Sequence, residues 1–191
     1  MLSDYSTHLW LMPMHRAFCA CACCAVGGAQ PCDGVHRATA CGSRLISSKL
    51  LQVGCSVAGS AAEAVAAGEV VVVVLADAAA IRSTLLQDPA ASAALTGKWV
   101  VQMGTIGPEE SIALAADIEA AGGRYVEAPV LGSQPEAEKG TLLVMVGSKE
   151  APNGTPVGAV LEAFCEEPNY IGQACTCSRL RVAAVWWCCV Q

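Results

Sequence analysis

Residues 99–148 read WVVQMGTIGPEESIALAADIEAAGGRYVEAPVLGSQPEAEKGTLLVMVGS, and every local signal in them agrees on a strand-helix-strand unit. An apolar run over 99–103 predicts a buried strand, broken by Gly104-Thr105. Pro108 suits the first position of a helix, where a fixed φ and a missing N–H cost little. Glu109 and Glu110 follow in the first turn, where carboxylates complement the helix dipole. The spacing then sends Ile112, Leu114, Ala115, Ile118 and Ala121 toward a core. Gly122-Gly123 provide a stop that tolerates positive φ. A second strand over 124–129 runs directly into Val130-Leu131-Gly132-Ser133.

Upstream, residues 61–86 predict a short helix ending at Gly68, a continuous apolar strand over 70–75 and a helix opening at Asp77. Unbroken apolar runs suit parallel strands covered on both faces. Strand-helix alternation with short connections predicts an α/β fold, a partial doubly wound sheet with strands near 70–75, 99–103, 124–128 and 141–147. The direction of the last strand stays open, because the link from Gly132 to Gly140 is brief for a crossover helix.

Several spaced matches in this region resemble the beta-hydroxyacid dehydrogenase family. It includes 3-hydroxyisobutyrate dehydrogenases, tartronate semialdehyde and glyoxylate reductases, and the NADP-binding domain of 6-phosphogluconate dehydrogenase. Met103-Gly104-Thr105 is similar to the family's Met-Ser-Thr, and Glu127-Ala128-Pro129-Val130-Leu131-Gly132-Ser133 to its Asp-Ala-Pro-Val-Ser-Gly-Gly. Ala137, Gly140-Thr141-Leu142 and Met145-Val146-Gly147 continue the pattern, and Leu75-Ala76-Asp77 stands where the family has Leu-Pro-Asp. The resemblance covers residues 57 to about 164. It implies a Rossmann-like fold and hydride transfer between NADP or NAD and a small 3-hydroxy acid or its aldehyde or keto form.

On that resemblance, Leu75, Ala76, Asp77 and Thr105 are the expected cofactor-binding residues, and Leu131, Gly132 and Ser133 the expected substrate-binding residues. The last two would offer backbone N–H groups to a small carboxylate. Leu131 departs from the pattern, since it replaces a serine hydroxyl with a side chain that has no donor, and this puts substrate choice in doubt. Each residue also has a plainer role. Residues 75–77 suit a strand end and helix cap, Gly104-Thr105 a turn before a helix, and Gly132-Ser133 a simple connection. Glu136, Glu138 and Lys139 suit a solvated helix face.

Two parts that the family needs do not occur in the printed chain. Gly27, Gly28, Gly34, Gly42 and Gly54 precede residue 57, and no three of them have the G-x-G-x-x-G spacing that brings backbone against a pyrophosphate. No β-branched run there suggests a first strand. No lysine follows Lys149, so no lysine is available for proton transfer from a downstream helical region. No catalytic residue is therefore assigned, and the expectation is an oxidoreductase domain shortened at both ends and inactive as it stands. Tyr170-Ile171-Gly172 is expected as a short strand leading toward a linker.

The expected division is a Cys-rich stretch over 1–56, the partial nucleotide-binding domain over 57–165 and an irregular Cys-rich stretch over 166–191. Charge follows it. Residues 1–60 hold four of the 11 basic and two of the 17 acidic residues, leaving the remainder acidic, which argues against a nucleic-acid partner. No apolar run is long enough to span a bilayer, so no membrane association is expected. The twelve cysteines avoid residues 56–164, unlike a disulfide scaffold spread through a folded core. Cys19-x-Cys21-x-Cys23-Cys24, with His8, His15 and His36, offers thiolates and imidazoles to a soft metal but lacks paired C-x-x-C spacing, so no metal site is assigned.

Residues 1–56 loosely resemble a secretory or transit segment, and the nucleotide-domain reading favours the cytoplasm or an organelle matrix over secretion. Self-association, or association with a full-length relative, is expected from exposed edges. Two further functions compete with the oxidoreductase reading: a non-catalytic module that binds or dimerises with such a relative, and a Cys-rich metal-binding protein. NADPH titration, co-purification and elemental analysis discriminate the three.

Overall fold

The computed structural model describes residues 23–26, 38–41 and 56–173. The metal and targeting expectations for Cys19, Cys21, His8, His15 and His36 lie outside these residues, as does the side chain of Glu138.

The chain runs β1 (Cys23–Val26), β2 (Ala38–Cys41), β3 (Ser56–Val57), α1 (Ala61–Ala66), β4 (Val70–Val73), α2 (Ala78–Leu85), α3 (Pro89–Ala94), β5 (Trp99–Gln102), α4 (Pro108–Ala120), β6 (Arg124–Glu127), β7 (Val130–Leu131), α5 (Gln134–Lys139), β8 (Leu143–Ser148), α6 (Pro156–Leu161) and β9 (Asn169–Gly172). It is a mixed α/β, Rossmann-like sheet. β4, β5 and β6 form its parallel centre, with Val70 opposite Trp99 and Trp99 opposite Arg124. Their residues alternate between two cores, because successive side chains of a strand point to opposite faces. Val71, Val73, Val100 and Tyr125 pack with Ile81, Leu85, Leu114 and Ile118 on one side. Val70, Val72, Trp99, Val101 and Val126 pack with Val144, Val146, Val157 and Leu161 on the other.

Local chemistry explains the helix starts. The Asp77 carboxylate accepts the Ala80 N–H at 2.7 Å and caps α2. Asp88 accepts from Ala90 at 2.9 Å, with Pro89 next in line. α4 begins at Pro108 as expected, its cap is Gly107, and Glu110 reaches back to accept the Gly107 N–H at 3.0 Å. Gly122 ends that unit at φ 83°, a conformation that a side chain would disfavour.

Two expectations need correction. Ile112 is 44% exposed, whereas Ser111 is fully buried. The helix is rotated so that 111, 114 and 118 face inward, and the Ser111 hydroxyl lies 3.0 Å from the Tyr125 hydroxyl and donates to Glu127 Oε1 at 3.1 Å. Two good hydrogen bonds make a buried serine tolerable there. Ala115 and Ala121 are partly buried against the same core.

Secondly, the stretches expected to be irregular contribute strands. β1 lies antiparallel to β4, with Val26 opposite Val70, and β2 pairs antiparallel with β1. No β-branched run announced them; the open edge of β4 supplies the hydrogen-bonding template. β9, within 166–191, pairs parallel with β8 and includes the expected Tyr170-Ile171-Gly172. The strand near 141–147, whose direction the sequence left open, joins β6 antiparallel, with Glu127 opposite Gly147. A parallel strand would require a crossover of about a dozen residues or more, usually a helix; the six-residue α5 merely turns the chain round.

Candidate functional site

The carboxyl edge of the parallel centre gathers the residues singled out above. Met103 N–H donates to the Val73 carbonyl at 2.9 Å, and Ala128 N–H to the Gln102 carbonyl at 2.8 Å. The exits of β4, β5 and β6 are thereby tied side by side, and the chain leaves each at the same rim. In doubly wound sheets this rim is where ligands bind.

At the first exit Leu75 is half-buried, while Ala76 and Asp77 are exposed. At the second, Gly104 is pressed against the first: a Cβ there would lie 3.0 Å from the Leu75 carbonyl oxygen and 3.0 Å from Gln102 Nε2. The Gly in place of the family's serine thus lets two exit turns approach closely. Thr105 beyond it is exposed.

At the third exit, Val130 and Leu131 form β7 against β8, with Leu131 directly opposite Leu143. Both leucines are exposed, so the departure at Leu131 places apolar surface at the rim. Gly132 has φ 142°, a conformation that favours glycine, and a Cβ would come within 2.7 Å of Leu142 Cδ2, whose side chain would have to shift.

Ser133 caps α5, and its groups are engaged within the chain. Its N–H donates to Glu136 Oε2 at 2.8 Å, and its hydroxyl donates to the same carboxylate. These hydrogen bonds, the hydroxyl first, hold the Glu136 carboxyl below the usual range. Glu136 is exposed, as expected for a solvated face, and its carboxylate occupies the Ser133 N–H.

Two polar residues missed in the sequence lie just beneath this rim. Gln102 and Glu127 are register partners at the ends of β5 and β6, both 1% exposed. Neither Nε2 nor Oε1 of Gln102 has a hydrogen-bond partner. Glu127 accepts from Ser111, which joins it to Tyr125. The available signal was a polar residue closing each of two otherwise apolar strands.

The opposite edge carries a separate cavity of about 220 Å³ lined by Trp99, Tyr125, Arg124, Lys149 and Glu119, among others. Arg124 lies 4.9 Å from the Trp99 ring centroid, and Lys149 pairs with Glu119 at 2.6 Å. Its charges are thus largely matched internally.

The fold and rim define a dinucleotide-binding class, and comparison with known proteins gives the family. Residues 42–174 match the NAD binding domain of 6-phosphogluconate dehydrogenase, so the chain belongs to that family of NAD-binding domains. It is 31% identical over 107 residues to 2-hydroxy-3-oxopropionate reductase of Escherichia coli K12, covering 56% of this chain and 37% of the relative. The glyoxylate/succinic semialdehyde reductase 1 of Arabidopsis thaliana is 31% identical over 104 residues, covering 54% and 36%. Among solved structures, the 3-hydroxyisobutyrate dehydrogenase of Mycobacterium tuberculosis with L-serine superposes with a TM-score of 0.70 at 25% identity, covering 76% of this chain and 50% of that one. The chain thus spans a little over a third of these curated relatives and about half of that solved chain.

At the close-set exits of β4 and β5, Ala76, Asp77 and Thr105 are exposed. On the diphosphate side the described residues hold no glycine-rich turn opening a helix, and β1 runs antiparallel along the β4 edge.

Proposed function

We propose that this chain is the nicotinamide-facing part of a hydroxyacid dehydrogenase-like oxidoreductase, retaining affinity for NADP or NAD but without turnover as a 191-residue polypeptide. Leu75, Ala76, Asp77 and Thr105 contact the cofactor, and Leu131, Gly132 and Ser133 bound the pocket for a small carboxylate. Residues 57–165 form the working unit, flanked by Cys-rich stretches over 1–56 and 166–191.

The observation that carries this reading is the convergence of three strand exits on one edge of the sheet, with Gly104 set so closely against Leu75 that a Cβ would force its neighbours to give. The reading of no turnover is supported by the residues of this sequence, which include neither a G-x-G-x-x-G turn nor a lysine after Lys149. Hydride transfer would be the bound nicotinamide's chemistry. The chain's own contribution is to seat the ring at the rim and exclude water around it. Selectivity for the acid is lowered by two features, the apolar Leu131 and the intramolecular carboxylate at Ser133.

NADPH fluorescence titration of the purified chain tests the reading. Saturable binding that is weakened about tenfold by Gly104→Val, with the fold retained, is expected. No saturable binding would overturn the cofactor assignment. NADPH-dependent reduction of small aldehyde or keto acids by the chain alone would overturn the claim of inactivity. Glu136→Ala should improve competition by a small carboxylate at the rim; an unchanged response would remove Ser133 from the site.

A further inference from the structure

Gln102 is the last residue of β5 and 1% exposed, and neither its Nε2 nor its Oε1 has a hydrogen-bond partner. Its position makes that costly. It stands two residues from Val100, so it shares the face of the sheet that packs against Ile81, Leu114 and Ile118. Its register partner on one side is Val73, a member of that core, and on the other is Glu127. An apolar side chain would fill this place with no polar atom to desolvate, whereas a buried amide left unpaired destabilises the fold that contains it. Glu127 accepts from the Ser111 hydroxyl on that face, so polar groups are near. The Gln102 amide instead runs along its own strand toward the exit turn.

There a donor and an acceptor flank a single point. The position that a Cβ of Gly104 would take lies 3.0 Å from Gln102 Nε2 and 3.0 Å from the Leu75 carbonyl oxygen. The donor belongs to the β5 exit and the acceptor to the β4 exit, and glycine places no side chain between them. A small closing movement of the two exits is enough to join them. Buried polar groups that break the rule of an apolar core mark functional positions, where the compensating interaction lies outside the free fold.

We propose that Gln102 is a cofactor-positioning residue: with NADP or NAD at the rim, the β4 and β5 exits close on each other and Gln102 Nε2 donates to the Leu75 carbonyl. This rests on the cofactor reading of the rim given above. The free chain carries an unpaired amide and the bound chain a paired one, so the hydrogen bond adds to affinity as a difference between two states. Gln102 touches no ligand in this arrangement. It acts through Leu75 and Gly104, and sets the separation between Leu75-Ala76-Asp77 on one exit and Thr105 on the other.

The test compares the full chain with its Gln102→Met variant, by NADPH fluorescence titration and by urea unfolding without nucleotide. Methionine keeps the length of the side chain and removes both polar atoms. The variant should unfold at the same urea concentration as the wild type or a higher one, yet bind NADPH about fivefold more weakly. These opposite signs separate positioning from a structural role, which would lower stability and affinity together. A direct readout is the Gln102 side-chain amide in nitrogen–proton correlation NMR, identified by its absence from the variant. On saturation with NADPH one of its protons should move downfield, and its exchange with water should slow on the order of tenfold. Equal affinity of the two proteins would overturn the proposal and leave the cofactor reading intact, as would an amide signal that NADPH leaves unmoved. A lower unfolding midpoint, or a variant that fails to fold, would overturn it too, by showing that the amide is already paired in the free chain. A wild type without saturable NADPH binding would remove the cofactor reading itself and this proposal with it.

Discussion

The parallel centre and the antiparallel margins of this sheet obey different rules. β4, β5 and most of β6 are buried on both faces, and apart from Arg124 and the terminal Gln102 and Glu127 their residues are valine and aromatic. β8 begins with exposed Leu143 and then buried Val144, while β1 and β2 are drawn from alanine, cysteine, threonine and valine. Two-sided burial writes itself into composition, because each residue must be apolar whichever way it points. A marginal strand is held chiefly by the edge that it meets, and its own residues say little about that edge.

The sharpest way to break this comparison is to truncate a leucine in each region. Leu114→Ala, under the parallel centre, should lower unfolding stability by about 3 kcal/mol in urea titration. Leu143→Ala, on the margin, should change it by no more than about 0.5 kcal/mol. Equal losses would erase the distinction. Ser111→Ala should come next, at about 1 to 2 kcal/mol, since it removes a hydrogen bond from each of buried Tyr125 and Glu127. Ile112→Ser, one position along, should be nearly neutral, and the opposite ranking would return the helix to the rotation expected from its sequence.

Asp77→Ala should cost about 1 kcal/mol by leaving the Ala80 N–H without its cap, measurable in the same titration. Gln102→Met should be neutral or slightly stabilising, because it replaces a buried amide that has no partners; a loss above about 1 kcal/mol would show that the amide is satisfied.

The smallest effect is on the margin and depends on pH. Glu136 has its carboxyl lowered in the folded chain, so its contribution is present at neutral pH, above the unfolded value, and is lost as pH falls through the folded one. The difference in melting temperature between wild type and Glu136→Gln should therefore be present near neutrality and vanish on acidification. A difference that grew toward acid would reverse the assignment. Cys165 has the opposite character: burial, with Glu162 adding to it, pushes its thiol up to about 11, which suits an inert core residue.

Legibility followed the same divide. The apolar runs over 70–75 and 99–103, the Asp77 cap, Pro108 and the Gly122 stop were all readable, because each reflects a local steric or hydrogen-bonding preference. Ser133 was read as part of a connection or loop and Glu136 as a solvated helix face, and the engagement of the Ser133 N–H by Glu136 came only from the structure. Gln102 and Glu127 escaped because a polar residue at a strand end looks like the beginning of a turn. Their burial depends on α4 lying over them.

By itself the sequence determined the identity and order of the central strands and helices, and through its spaced motifs the family to which they belong. Tertiary structure alone decided the direction of β8, the recruitment of β1 and β2, the inward turn of Ser111 and the meeting of Leu75 with Gly104 at one rim. The reason is range. Propensity, capping and burial on both faces act over a few residues and leave a pattern in the chain, whereas strand direction and edge pairing are settled between segments far apart in sequence, by whichever backbone hydrogen bonds the neighbouring strand leaves open.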